Sequence, residues 1–137
     1  MRGLKSLIVM ALVACAVPAA AQTSACMPPL EPMLRAELYF GRNTHGRQFV
    51  SDREWARFLA HELTPRFPDG LTVIDGWGQW RHGGASMVAR EQTKVVVIVT
   101  PDVGQARAKL AAVADVYKQH FEQQSVGIVV QTVCAAF

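Results

Sequence analysis

The stretch KVVVIVT, residues 94–100, is a run of β-branched and aliphatic side chains without a polar residue inside it. Such a run leaves no polar face for water, so it predicts a strand in the middle of a sheet. Thr100, Pro101 and Asp102 follow at once, and a proline at the first helical position favours the start of a helix. This strand and the helix after it set the second half of the fold.

The neighbouring elements follow from the same kind of pattern. Downstream, apolar residues recur at helical spacing, and VGIVVQTVC (126–134) predicts a last strand. Upstream, LTVIDGWGQWR (71–81) is rich in strand-forming residues, and AELYFG (36–41) alternates as a strand does. Between these two strands Ser51 begins a helix, because Glu54 stands where it closes a capping box.

The resulting order, β-α-β-β-α-β, predicts an α+β fold of the ferredoxin-like class. This is a two-layer sandwich with an antiparallel sheet of strand order 4-1-3-2 and both helices on one face. Residues 68–70, PDG, predict a turn before the second strand. Gly76 and Gly78 inside that strand indicate a bulge or a close backbone approach.

The hairpin between the second and third strands is predicted to turn at residues 83–84, which are both glycine. A two-residue turn there places Trp80 opposite Met87 and Trp77 opposite Arg90. These pairs would give a sulfur–aromatic contact and a cation–π contact.

The first residues have the features of an export signal. Arg2 and Lys5 precede an apolar run, 6–17, that is too short to span a bilayer, and Ala19 and Ala21 occupy the A-x-A positions. The predicted organisation is a signal peptide (1–21), a tail (22–35) and a single domain (36–137), in a periplasmic or secreted protein.

A second interpretation of the same segment stays open. Residues 12–15, LVAC, also fit a lipoprotein box, in which Cys15 would be acylated and the protein would be anchored to a membrane. Without this lipid, nothing in the sequence predicts contact with a membrane.

Charge argues against nucleic acid as a partner. The chain has 14 basic and 11 acidic residues, and loss of Arg2 and Lys5 with the signal leaves a net charge of +1. Binding to nucleic acid needs a clustered basic face, which a nearly neutral domain does not indicate.

Two cysteines, Cys26 and Cys134, remain after the signal is removed. An even pair in an oxidising compartment predicts a disulfide, with two free thiols as the alternative. The topology supports the bond, because the end of the fourth strand lies beside the start of the first.

Several motifs together resemble domain of unknown function family 3574, a family of small exported bacterial proteins that are often lipoproteins. These are LYFGR (38–42), VSDREWARFL (50–59), TPRFPDGLTVIDGWGQWR (64–81), ARE (89–91) and YKQHFEQQSV (117–126). The resemblance implies one exported domain, and it transfers no catalytic residue because the family has no established activity.

One end of the predicted fold gathers polar side chains from three loops. We expect this end to bind an anion or a small polar molecule, since arginines grip carboxylates and phosphates. The alternative is a solvated loop surface. The candidate ligand-binding residues are Arg42, Asn43, His45, Arg47, Arg81 and His82, with Gln123 and Gln124 beside them.

We predict a non-catalytic envelope module that binds a small polar ligand or a protein partner, and the alternative is a small enzyme whose arginines bind an anionic substrate. Glu91 near the start of the central strand, or His82, is a weak candidate for a general base, and an ion pair with a neighbouring arginine is the alternative for Glu91. Asp75 and Gln79, flanked by tryptophans, are placed to line a pocket or to face water. No nucleophile, P-loop or metal motif is present in the sequence, so we predict no cofactor and no metal.

The central strand also predicts an interface. Residues 95–99 are apolar on both faces, and 128–130 add three more apolar residues in a row. Half of these side chains point away from the helices, so we expect two copies to pack sheet to sheet as a homodimer. The alternative is that the tail, residues 23–35, folds across this face.

Overall fold

The computed structural model describes residues 26–43, 49–81 and 87–137. The elements have the predicted order: β1 (Glu31–Gly41), α1 (Asp52–Phe58), a π-helical turn (Leu59–Leu63), β2 (Thr72–Trp80), β3 (Ala89–Thr100), α2 (Val103–His120) and β4 (Gly127–Ala135). The predicted signal with Cys15, the loop residues His45 and Arg47, and His82 with Gly83 and Gly84 lie outside the described residues.

The four strands form one antiparallel sheet in the order β2-β3-β1-β4. Read from the other edge, this is the predicted order 4-1-3-2, so the ferredoxin-like prediction is confirmed. Strands β3 and β1 occupy the centre of the sheet, and for β3 the apolar run at 94–100 predicts this position. Strand β2 is an edge strand, and one side of its backbone has no described neighbour.

The first helix begins as the sequence predicts. The Ser51 side chain accepts a hydrogen bond from the amide of Glu54, and the Glu54 carboxylate accepts one from the amide of Ser51, which completes the capping box. The helix then widens into a π-helical turn, where the amide of Thr64 donates to the carbonyl of Leu59. This wider turn places Leu63 in the core five residues after Phe58.

The core lies between the helices and one face of the sheet. Tyr117 of α2 sits at its centre, and its ring packs at 4.7 Å from Phe40 and 4.9 Å from Phe58. Leu34, Ala36, Leu38 and Phe40 of β1 all point into this core, together with Val96 and Ile98 of β3. Residues at alternate positions therefore face away from both helices.

Strand β1 is longer than predicted, because it begins at Glu31 in the stretch expected to be tail. Residues 31–33 pair with β4 alone, since the pairing with β3 starts at Leu34. On the β3 side, residues 31–33 form no strand hydrogen bonds, so a residue without an amide hydrogen, such as Pro32, is tolerated there. The prolines hid this extension from the sequence pattern. Residues 31–35 therefore pair as a strand and do not cross the open face of the sheet.

The predicted register of the β2–β3 hairpin is wrong by two residues. Trp80 lies opposite Ala89 and Trp77 opposite Gln92, in place of the predicted Met87 and Arg90. A shift by an even number keeps every side chain on its own face, so the apolar pattern does not distinguish the two registers. The pairing is continuous through Gly76 and Gly78, so β2 has no bulge. The bulge was one of the two roles predicted for these glycines.

Two further features complete the description of the fold. Cys26 and Cys134 are joined by a disulfide, as predicted, with their Cα atoms 5.6 Å apart. The pairing of Pro32 with Cys134 brings the start of β1 beside the end of β4 and explains why the two cysteines meet. In the described part of the chain, no helix has the length and hydrophobicity needed to cross a membrane.

Candidate functional site

A cleft of about 430 Å³ opens at one end of the sheet, on the face that the helices leave bare. Its floor is made from the ends of all four strands, and its rim includes the loop between α2 and β4. The described lining residues are Tyr39, Gly41, Asn43, Gly78, Gln79, Trp80, Ala89, Glu91, Thr93, Gln123, Gln124, Ser125 and Gly127.

Glu91 of β3 supplies the carboxylate of this cleft. One oxygen accepts a hydrogen bond of 3.0 Å from the indole Nε1 of Trp80, and the other accepts one of 3.1 Å from the backbone amide of Asn43. The described residues form no ion pair with Glu91, so the predicted pairing with a neighbouring arginine is absent from this part of the chain. Arg90, the adjacent arginine, points to the opposite face of β3.

Glycines make room for these side chains. A Cβ built on Gly41 would lie 2.6 Å from both carboxylate oxygens of Glu91, and one on Gly78 would lie 2.8 Å from the hydroxyl of Thr93. Real Cβ atoms do not approach so closely. The close-approach interpretation of Gly78 is therefore confirmed, and Gly41 plays the same part in β1.

Aromatic side chains and amides complete the walls. Trp80 and Tyr39 are both partly exposed beside the cleft, and the Tyr39 hydroxyl donates to the Glu37 carboxylate. That carboxylate raises the pKa of the Tyr39 hydroxyl. On the opposite rim Gln123 donates a 2.6 Å hydrogen bond from its side-chain amide to the carbonyl of Asn43, which ties the α2–β4 loop to the end of β1.

The described lining of the cleft carries a negative charge. Glu91 is the one charged side chain among the described residues that line it. A carboxylate has about four sites for accepting hydrogen bonds, and described residues occupy two of them. The remaining capacity, next to aromatic rings, suits a ligand that donates N–H groups or carries positive charge.

The core supports the cleft from below. The Tyr117 hydroxyl donates a 2.8 Å hydrogen bond to the carbonyl of Gly41, directly under the Glu91 carboxylate. Burial raises the pKa of this hydroxyl far above its ordinary value, so it stays protonated and keeps donating.

Arg42, the first of the predicted ligand-binding residues, lies elsewhere. Its side chain is only 4% exposed and points to the helix-covered face, where Nε donates to the carbonyl of Val50 and a terminal nitrogen pairs with Asp52 at 2.8 Å. The guanidinium also stacks on Phe49, with its carbon 4.2 Å from the ring centre. Adjacent residues of a strand face opposite ways, so Arg42 and Asn43 serve different surfaces.

The other predicted site residues are only partly brought together. Asn43, Gln123 and Gln124 line the Glu91 cleft. Gln79 is also among its lining residues, although the pairing of Gln79 with Arg90 puts its side chain, like that of Asp75, on the other face of the sheet. Arg81 is exposed just beyond β2. His45, Arg47 and His82 lie outside the described residues, and within the described ranges no group of three acidic, histidine or cysteine side chains is placed to hold a metal ion.

Sequence reasoning missed the contributions of Tyr39, Gly41, Trp80, Thr93 and Gly127 to the cleft. A signal for them exists, because YFG, WGQW and VGI each place a glycine near a strand end and next to or close to an aromatic or apolar residue. Their alignment across the sheet depends on the strand register, which the sequence pattern did not determine.

Known proteins resemble this chain at two levels. The family model for "Protein of unknown function (DUF3574)" matches residues 35–137. No curated protein matches the chain.

Among solved structures, a phage SAM lyase in complex with S-methyl-5′-thioadenosine has a TM-score of 0.60 at 13% identity, covering 75% of this chain and 90% of the lyase. The same lyase in its apo state has a TM-score of 0.54 at 14% identity, with coverage of 76% and 90%. CutA from Synechococcus elongatus has a TM-score of 0.49 at 12% identity, with coverage of 77% and 80%. At these identities the lyase structures show a shared fold.

Proposed function

We propose that this chain, which belongs to the family of proteins of unknown function DUF3574, is a binding module for a small polar ligand held in the Glu91 cleft. The observation that carries the proposal is the position of the Glu91 carboxylate. It lies on a floor of glycines beside Trp80, with two described hydrogen-bond donors and no described basic side chain in the lining.

The chemistry of the lining selects the class of ligand. A carboxylate attracts a cation or an N–H donor, and an exposed indole offers a flat apolar surface on which a ring can stack. We infer a ligand with a positively charged or N–H-donating group next to a flat ring. An anionic ligand, the other class that the sequence suggested, finds no described arginine in this cleft.

A pair of adenosine compounds tests the charge preference. SAM carries a sulfonium charge, and S-adenosylhomocysteine has the same ring and the same amino-acid chain on a neutral sulfur. We expect saturable binding of SAM by isothermal titration calorimetry, with S-adenosylhomocysteine at least tenfold weaker. Glu91→Gln removes the charge and keeps the shape, so it should abolish that preference.

Asp69→Asn is the matched control, because Asp69 is an exposed carboxylate in the turn before β2. It should leave SAM binding unchanged. Benzylamine, which joins an ammonium group to a flat ring, is a second probe of the same class and should also bind saturably. The proposal fails if neither SAM nor benzylamine binds saturably, or if Glu91→Gln and Asp69→Asn give the same affinity for SAM.

An enzyme that uses Glu91 as a general base is the alternative, with His82 as the weaker candidate. The same mixtures separate the two, since a binding module leaves SAM intact. Mass spectrometry that finds product formed faster by the original protein than by Glu91→Gln, with both variants folded by circular dichroism, would favour the enzyme.

We also propose that the protein acts outside the cytoplasm, as a periplasmic, secreted or lipid-anchored protein. The Cys26–Cys134 disulfide supports this location, because such bonds persist in oxidising compartments. Cell fractionation with a Cys15→Ala variant separates the two export routes, since only a lipoprotein loses its membrane attachment.

The open sheet face supports a homodimer as a second element of function. Val95, Val97 and Val99 lie on this face, and Ile74 beside them is 50% exposed. Arg35 and Glu37 lie on the same face and pair with each other at 2.7 Å, so this face presents no unpaired charge at these two positions. A second copy packed here would also wall the open side of the Glu91 cleft.

Light scattering tests the dimer. The mature protein should have twice the mass of its chain at micromolar concentration, and Val97→Lys should give a monomer. Ala112→Lys places the same charge on an exposed position of α2 and should leave the dimer intact. A monomeric mature protein would refute the interface.

A further inference from the structure

A second groove lies on the opposite side of the sheet, beside the start of α1 at Asp52. It has a volume of about 380 Å³ and is lined by Arg42, Asp52, Asp75, Gly76, Trp77, Gln92 and Lys94. The strand register arranges these residues in two rows. Trp77 of β2 pairs with Gln92 of β3, whose carbonyl accepts the amide of Arg42 just beyond β1, so these three residues form one row. Lys94 and Asp75 form the next row.

Two cations lie at the bottom of this groove. The side chain of Arg42 is 4% exposed and that of Lys94 is 11% exposed. Each pairs with a carboxylate at the rim, Arg42 with Asp52 and Lys94 with Asp75. Those carboxylates are 86% and 78% exposed, so they remain largely in water.

This asymmetry matters energetically. Removing a cation from water is costly unless its partner compensates closely, and a carboxylate that stays in water compensates weakly. Lys94 has three N–H donors and Arg42 has five, and the contacts with described residues use one and three of them. Both cations therefore retain donors for an anion that enters the groove.

Trp77 supplies the wall above them. It is 76% exposed, although the alternate residues of β3 on the same face of the sheet, Val96 and Ile98, are buried in the core. The helices do not reach this corner of the edge strand, so the indole faces the groove and solvent. A large exposed indole beside buried cations has the composition of a site that stacks a ring and holds an oxyanion.

We propose that this Trp77 groove binds a small aromatic anion, with its ring on Trp77 and its carboxylate or phosphate oxygens on Lys94 and Arg42. The ligand's oxyanion takes the place of the Asp75 and Asp52 carboxylates, which swing into solvent. The groove is separate from the Glu91 cleft, since the two lie on opposite faces of the sheet and take ligands of opposite charge.

Adenosine 5′-monophosphate and adenosine test the proposal, because they share a ring and differ in the phosphate. Benzoate and benzamide test a carboxylate in the same way. We expect saturable binding of the anions by calorimetry, with their uncharged partners at least tenfold weaker. Trp77→Ala should weaken the monophosphate about tenfold by removing the stacking surface.

Two variants separate a binding role from a structural one. Lys94→Met keeps the buried methylene chain and should abolish the preference for the anions. Asp75→Asn removes the competing carboxylate and should tighten anion binding two- to fivefold, an effect that a purely structural ion pair would not produce.

Phe137→Ala, at an aromatic side chain that is 98% exposed and lines neither site, is the control and should leave monophosphate binding unchanged. The proposal is overturned if neither anion binds saturably. It is equally overturned if binding is unaffected by both Trp77→Ala and Lys94→Met. Because SAM binding at Glu91 is measured separately, failure of one site does not imply failure of the other.

Discussion

The Glu91 carboxylate lies directly over the Cα atom of Gly41, so close that a Cβ at Gly41 would be 2.6 Å from both of its oxygens. On the other side of the sheet, the carbonyl of Gly41 accepts a hydrogen bond from the hydroxyl of Tyr117 in the core. A single backbone position thus connects the packing of α2 to the geometry of the cleft. A substitution that disturbs the Glu91 contact should change ligand binding, whereas one that disturbs the Tyr117 contact should change the free energy of unfolding.

The first prediction concerns Gly41→Ala. The atoms in the way are the far end of a flexible side chain, so the fold should survive while Glu91 is pushed out of its position. The hydrogen bond to Trp80 would then be lost, and the indole N–H signal of Trp80 in the NMR spectrum should shift. Binding of SAM should fall to the level of Glu91→Gln.

Gly104→Ala is the matched control, because a Cβ built there meets nothing within 4 Å. It should leave the Trp80 signal and ligand binding unchanged. An unshifted Trp80 signal in Gly41→Ala would contradict the geometry of the cleft floor.

The second prediction concerns Tyr117→Phe. This change keeps the ring and removes the hydroxyl, which leaves the carbonyl of Gly41 without that donor in a partly buried environment. The free energy of unfolding, measured in urea, should fall by about 1 kcal/mol. Tyr39→Phe, at a 39% exposed tyrosine, should change it much less. Equal losses from the two variants would show that burial of the hydroxyl is not what matters.

The fold could be predicted because the signals for its helices and strands lie within short stretches of the sequence. The apolar run 94–100, the capping box at Ser51 and the proline before Asp102 all depend on neighbours within a few residues. Strand order then follows from a small set of allowed topologies. The strand at 31–35 was missed because prolines mask its alternation.

The candidate site was harder to predict, since it depends on which residues of different strands lie side by side. A two-residue slip of the hairpin keeps Trp80 on the same face but changes its neighbours. Arg42 and Asn43 were grouped because they are adjacent in sequence, although adjacent strand residues face opposite ways. The contact between Gln123 and Asn43 spans 80 positions, and no local pattern encodes it.

The third prediction is a dependence of stability on acid. A hydrogen bond from Lys109, with another from the amide of Gln105, holds the pKa of Asp102 below its ordinary value of 3.8. A carboxyl with a lower pKa in the folded state stabilises the fold while it is ionised in both states. This stabilisation is lost as the pH falls through the folded-state pKa.

Asp102→Asn should therefore lower Tm at pH 7, and the difference from the original protein should shrink below pH 4 or so. Lys109→Met should also lower Tm at pH 7 and have a smaller effect on Tm in acid, because it removes the main cause of the lowered pKa of Asp102. A difference in Tm that is constant between pH 7 and pH 3 would count against this role of the Asp102 cap.

The fourth prediction concerns Glu122, which follows Phe121, the C-cap residue of α2. It has a φ of 53°, and the amide of Gln123 donates to the carbonyl of Lys118, as in a Schellman motif. Glycine adopts this backbone conformation without the steric cost of a Cβ. Glu122→Gly should raise the free energy of unfolding by about 0.5–1 kcal/mol, whereas Glu122→Ala should not raise it. Destabilisation by Glu122→Gly would show that the carboxylate itself has a stabilising contact.

The last prediction concerns the bond between Cys26 and Cys134. It closes a loop spanning 108 positions of the chain, and in the chain-entropy model its loss costs about 4–5 kcal/mol. Cys26→Ser, Cys134→Ser and the double variant should all lower the free energy of unfolding by the same amount, because each removes the same single cross-link. Mass spectrometry of the non-reduced exported protein should show the loss of two hydrogens, and alkylation of both thiols before reduction would exclude the bond. If the double variant instead lost free energy of unfolding equal to the sum of the two single losses, the cysteines would be acting as independent packed side chains. The bond between Cys26 and Cys134 would then not be what holds this end of the sheet.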